Sequence, residues 1–131
     1  MAGTISNTGK GHFLAIDVTG AASTDGGGVA SILNPEGVAL HIVRTFWKIA
    51  TGSTGGADLN AGIAAATDTD ASDLISALSA ATPGTFNGIA QVVAAKAAVG
   101  LAWGATSYLN LTGSATTAGL VGTFYVEYIR A

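Results

Sequence analysis

The chain has 131 residues, about one domain's worth, with a net charge of −3 and only 10% charged residues against about 25% in ordinary soluble domains. There is no cysteine, which excludes disulfides, zinc–thiolate centres and thiol nucleophiles. The five Lys and Arg residues are scattered and outnumbered by eight acids, which argues against nucleic-acid binding and a genome-packaging coat. Ala, Gly, Thr and Ser make up more than half of the chain. A free monomer usually carries more charge to stay soluble, so so little charge points to surface buried against neighbours. Residues 1–11 have no apolar core of the kind a signal peptide needs. The long uncharged stretches 74–95 and 97–126 are broken every few residues by Gly, Thr, Ser, Asn or Pro, so no membrane-spanning helix is expected. An outer-membrane barrel would need more aromatic residues than the nine present.

Residues 1–11 read as an extended N-terminal arm with little to bury, followed by a single domain over 12–131. His12–Val18 alternates as a strand, with Leu14, Ile16 and Val18 on one face. The stretch 19–28, with three successive glycines, is a loop. Val29–Leu33 is a short strand ended by the turn Asn34-Pro35-Glu36-Gly37. Val38–Ala50 is the strongest strand. Leu40 and Ile42 share one face and Val43, Thr45, Trp47 and Ile49 the other, so the phase slips near Ile42–Val43, as at a bulge or a passage between sheets. Ala57–Ala65 alternates cleanly. Leu74, Ile75 and Leu78 behind Asp70 and Ser72 predict one short helix over about 70–79. Gly88–Gly100 reads as strand plus loop. Leu101–Gly104, Tyr108–Thr112 and Gly119–Arg130 read as strands, the last apolar on both faces and therefore central in a sheet or at a subunit contact. Thr51-Gly52-Ser53 and Thr112-Gly113-Ser114 read as two similar hairpin corners. Together these elements predict an all-β fold, an antiparallel β-sandwich or jelly roll with one short helix.

No catalytic constellation is legible. His12 and His41 each sit in a strand pattern, and no serine occupies a G-x-S-x-G elbow. Gly9-Lys10-Gly11 lacks the spacing and context of a phosphate loop. Asn110-Leu111-Thr112 fits a glycosylation sequon by chance. The one acidic cluster, Asp68, Asp70 and Asp73, has carboxylates that could wrap Ca²⁺ but lacks the glycine and distal glutamate of an EF-hand. It reads better as a solvated loop capping the following helix. No cofactor or metal site is expected. Trp47 is expected in the core, whereas Trp103, flanked by Gly100 and Gly104, could stand at a loop edge.

The final segment, YLNLTGSATTAGLVGTFYVEYIRA, combines a T-G-S turn with a glycine-punctuated strand ending in Tyr-Ile-Arg and follows a tryptophan strand. In this texture residues 40–65 and 100–131 resemble small virion proteins of tailed bacteriophages, among them head decoration (cement) proteins and jelly-roll capsid accessories. The resemblance implies a structural protein without catalysis that stabilises the capsid surface. It implies a homo-oligomer, a trimer, whose partners are the major capsid protein or other virion proteins, and a location on the virion after synthesis in the host cytoplasm. It carries no site motif. Partner contacts are expected at Ile5 and Lys10 in the arm and at Trp103, Tyr108, Tyr125 and Tyr128. The alternatives are a shell-forming coat subunit and a carbohydrate- or host-surface-binding module of a tail or fibre appendage, which would present Trp103, Tyr108 or Tyr125 in a shallow groove.

Overall fold

The computed structural model describes residues 11–19, 27–87 and 101–131. The predicted arm, apart from Gly11, and the segment 88–100 lie outside the described residues. The described residues form nine strands: β1 (Gly11–Thr19), β2 (Gly27–Leu33), β3 (Leu40–Thr51), β4 (Asp58–Ala64), β5 (Ile75–Ser79), β6 (Gly84–Asn87), β7 (Leu101–Trp103), β8 (Tyr108–Gly113) and β9 (Val121–Arg130). They make two antiparallel sheets. Sheet A runs β1-β9-β3-β6, with β7 also paired to β3, and sheet B runs β2-β8-β4-β5. The described residues are all-β, as expected.

Between the sheets lies one core. Sheet A supplies Leu40, Ile42, Trp47, Phe124 and Val126, and sheet B supplies Leu59, Ile75, Leu109 and Leu111. Trp47 meets Phe124 edge-on at 5.4 Å. Gly122 makes this approach possible, since a Cβ there would lie 3.2 Å from the indole and 2.5 Å from the Lys48 carbonyl oxygen.

The phase slip in β3 is a bulge. Its register against β9 shifts between Ile42 and Arg44, so Leu40 and Ile42 before the bulge and Thr45, Trp47 and Ile49 after it all point inward. Val43 is the residue turned out, 46% exposed, rather than the start of a second buried face. β9 lies between β1 and β3, as its apolar character predicts.

Three expectations need correction. No helix forms over 70–79; the described residues contain none, and Ile75–Ser79 is β5. Leu74, Ile75 and Leu78 carry helical spacing because the strand is irregular. The register against β4 slips between Leu59 and Ala61, and Ala77 adopts a φ of 56°. That brings Ile75 and Leu78, three apart, onto one face. Leu74 is tied separately by its N–H to the Ala61 carbonyl at 2.9 Å. Second, the two T-G-S segments are not hairpin corners. Each carries the chain from one sheet to the other, β3 to β4 and β8 to β9. Third, Gly84–Asn87, not among the predicted strands, forms β6 at the edge of sheet A.

β6 and β7 pair with the same side of β3. Gly84–Asn87 opposes Ile49–Phe46 and Leu101–Trp103 opposes Ile42–Leu40, both antiparallel. They are two lengths of one edge strand.

Candidate interaction surface

The predicted contact residues separate into core and surface. Trp103 is fully buried, donates its indole N–H to the Ser107 carbonyl at 3.0 Å, and meets Tyr128 edge-on at 6.1 Å. Tyr128 is 3% exposed. Both are removed from the surface by the inward phase of their strands, so neither is open to a partner or a sugar. Ile5 and Lys10 lie outside the described residues. Tyr108 is half-buried at the start of β8, and Tyr125 is half-buried on the outward side of β9.

Tyr125 belongs to the outer face of sheet A, which nothing covers among the described residues. The pairing aligns this face in rows across β1, β9 and β3: Phe13–Glu127–Arg44, Ala15–Tyr125–Phe46 and Asp17–Thr123–Lys48. Phe13 is 53% exposed and stacks obliquely on Tyr125 at 5.7 Å. Arg44 pairs with Glu127 at 3.1 Å while lying over the Phe46 ring at 5.2 Å. The Thr123 hydroxyl donates to Asp17 at 3.0 Å. Two shallow hollows mark its ends, one of about 210 Å³ between Asp17 and Lys48 and one of about 300 Å³ beside His12, Phe13 and Ile129. The sequence contains every one of these residues on an outward phase, but only the pairing register tells which of them share a row.

At one end of the sandwich the Asn34–Gly37 turn places Glu36 over β9. Arg130 donates to Oε1 through Nε at 2.9 Å and Nη2 at 2.6 Å, and the Tyr128 hydroxyl donates to Oε2 at 3.3 Å. His12 stacks on Tyr128 at 5.3 Å, and its Nε2 lies 3.6 Å from Oε2, beyond hydrogen-bond reach. The carboxylate is thus engaged by Arg130 and Tyr128 as a clamp joining the turn to β9. The Arg130 hydrogen bonds hold the Glu36 carboxyl below the usual value of 4.5, against the opposing effect of burial, and the nearby charges of Arg130 and His12 act the same way. Burial, with the Glu36 charge second, raises the Tyr128 hydroxyl above its usual 10.0.

This sets a pH dependence. A carboxyl whose pKa is lower folded than unfolded stabilises the fold above its unfolded value and loses that contribution as pH falls through the folded value. Stability should therefore decline on acidification below about pH 4.5, and Glu36→Gln should flatten that decline while lowering stability at neutral pH. Urea midpoints across the acid range for both proteins check it. Parallel acid limbs would exclude Glu36 as a contributor.

The acidic cluster serves sheet B. The loop between β4 and β5 lies on the outer side of this sheet, which is why Asn110 and Thr112 are buried although they point away from the core. Thr112 and Asn60 both donate to Asp70 Oδ1, at 2.8 and 3.0 Å. The Ser31 hydroxyl accepts the Asp68 N–H at 3.0 Å. Asn110 donates to the carbonyls of Ala66 and Thr69. With no helix behind it, the cluster caps nothing, and no group of three or more potential ligands converges among the described residues. No family model, curated protein or solved structure matches the chain.

Proposed function

We propose that this chain is a structural virion subunit, a head decoration protein that stabilises a phage capsid surface through subunit contacts. The observation that carries the reading is the outer face of sheet A, where Phe13, Val43, Val121 and Ile129 are each more than 40% exposed around a single ion pair. The register gathers Phe13, Val43 and Ile129 at one end of this face, with Val121 beyond the Asp17–Thr123–Lys48 row, and an exposed apolar cluster is the mark of a contact surface. The strand order adds support. With β6 and β7 counted as one interrupted strand, the sheets run first–eighth–third–sixth and second–seventh–fourth–fifth, the order of a jelly roll built from two Greek keys. In this reading the arm, with Ile5 and Lys10, reaches the capsid protein and the sheet joins copies of the chain.

Co-sedimentation with empty phage heads tests it. The full chain should bind saturably, and a chain lacking residues 1–10 should fold with the same urea midpoint but occupy fewer sites. A chain that never pellets with heads overturns the proposal. One observation favours a carbohydrate-binding module instead, the adjacent rings of the exposed Phe13 and the half-buried Tyr125. Glycan binding that vanishes in Tyr125→Ala would establish that reading in its place.

A further inference from the structure

We infer that the outer face of sheet A is a two-fold interface and that its occupant is a second copy of this chain. The inference rests on the reading of this face as a subunit contact and names the partner. The argument is the order of the rows. A two-fold axis running along β9, between two facing sheets, lays β1 of each copy over β3 of the other and leaves the row positions at the same height. Under that operation Asp17 meets Lys48, Phe13 meets Arg44 and the small Ala15 meets the bulky Phe46. At the flanking positions each row is complementary to its own reverse, acid over base, ring over guanidinium and small over large, while Glu127, Tyr125 and Thr123 face their own copies along the axis, with each Glu127 charge met by its own Arg44.

The charges agree with this arrangement. Lys48 is exposed and has no ion pair among the described residues. Asp17, exposed on the other flank of the same row, has the Thr123 hydroxyl as its hydrogen-bond donor and no cation among the described residues. The two stand two strands apart, about 10 Å, form no ion pair with each other within the chain, and are symmetric about β9. Stacked sheets also lie about 10 Å apart, a gap that facing lysine and aspartate side chains can close between copies.

Size sets the strength. Three strands about 4.8 Å apart and about 30 Å long present a face well below the roughly 800 Å² per partner of a standard interface. The dimer should therefore be weak and concentration-dependent, unlike a preformed obligate pair, and it is two-fold where the resemblance to decoration proteins implies three-fold.

Analytical ultracentrifugation of the full chain over a range of roughly 5–500 µM should show a monomer–dimer equilibrium. Lys48→Asp or Asp17→Lys alone should weaken it at least about tenfold, and the double reversal should restore it to within about threefold. Both positions are exposed, and unchanged urea midpoints will separate lost association from lost folding. A monomer throughout, or a dimer that the single reversals leave intact, overturns the inference. A monomer that still pellets with phage heads overturns the two-fold contact and leaves the virion reading standing. A charge-dependent dimer that ignores heads supports the contact and overturns the virion reading.

Discussion

Asn34→Ala is expected to cost about 3–4 kcal/mol, a large share of the roughly 5–15 kcal/mol that stabilises an ordinary domain. Asn34 is 5% exposed and its amide is used at both ends. Nδ2 donates to the carbonyls of Val38, Trp103 and Gly104 at 2.8, 3.1 and 3.0 Å, while Oδ1 accepts the N–H groups of Glu36 and Gly37. Its own N–H binds the Ser107 carbonyl. One side chain thereby ties the β2–β3 turn to the β7–β8 turn and fixes the position from which Glu36 reaches Arg130. Alanine would leave the buried Trp103 carbonyl without this partner, at about 1–3 kcal/mol, and would strip the part-buried carbonyls of Val38 and Gly104 and N–H groups of Glu36 and Gly37 of theirs at a smaller cost each. Asn34→Asp separates the two halves, because it keeps the acceptor and turns a carboxylate toward three carbonyl oxygens. It should be at least as damaging as alanine. Urea denaturation with an unchanged slope is the measurement, and a loss below about 1 kcal/mol would show that the turns are held by other contacts.

The second large effect lies on sheet B. Gly62→Val should lift the β4–β5 loop from the sheet and cost about 3 kcal/mol or more. A Cβ at Gly62 would stand 2.7 Å from the Ala71 Cβ, 2.8 Å from its carbonyl carbon and 2.9 Å from its oxygen. Two of these atoms are backbone, so the loop itself must move. Once it moves, the Asn110 amide loses the Ala66 and Thr69 carbonyls and the Thr112 hydroxyl loses Asp70. These polar groups sit on the outer side of a sheet and are dry only because the loop covers them. Limited proteolysis should find new cleavage sites within 65–73 together with a lowered urea midpoint. Wild-type cleavage with an unshifted midpoint would contradict the packing described.

Local alternation makes most strands legible. Leu14, Ile16 and Val18 in β1 read directly as one face, β9 reads as a strand but is apolar on both faces, so its inward side is not legible, and the stumble at Ile42–Val43 is visible because a bulge leaves a phase error in the sequence itself. β5 was misread for the same physical reason. Irregular pairing and a positive φ at Ala77 give Ile75 and Leu78 the spacing of a helix, and no periodicity argument distinguishes the two. β6 was missed because Gly84-Thr85-Phe86-Asn87 is too short and too polar to alternate. The contact residues were harder. Trp103 and Tyr128 are chemically suited to a surface, and only the inward phase and the neighbouring Ser107 and Glu36 place them inside. The rows of the outer face depend on which strands become neighbours. Phe13, Tyr125 and Phe46 are far apart in the chain and meet only through long-range pairing.

The broken edge of sheet A has a consequence for growth. Exposed strand edges are templates on which sheets from other chains can extend. Here one margin is cut into lengths of four and three residues, while the opposite margin, β1, is nine residues long. Extension without limit needs two usable margins on every molecule. A chain with one long margin can be joined there once, and the joined pair has only short, interrupted rims left in that sheet, so strand addition closes on itself instead of running on into a fibre.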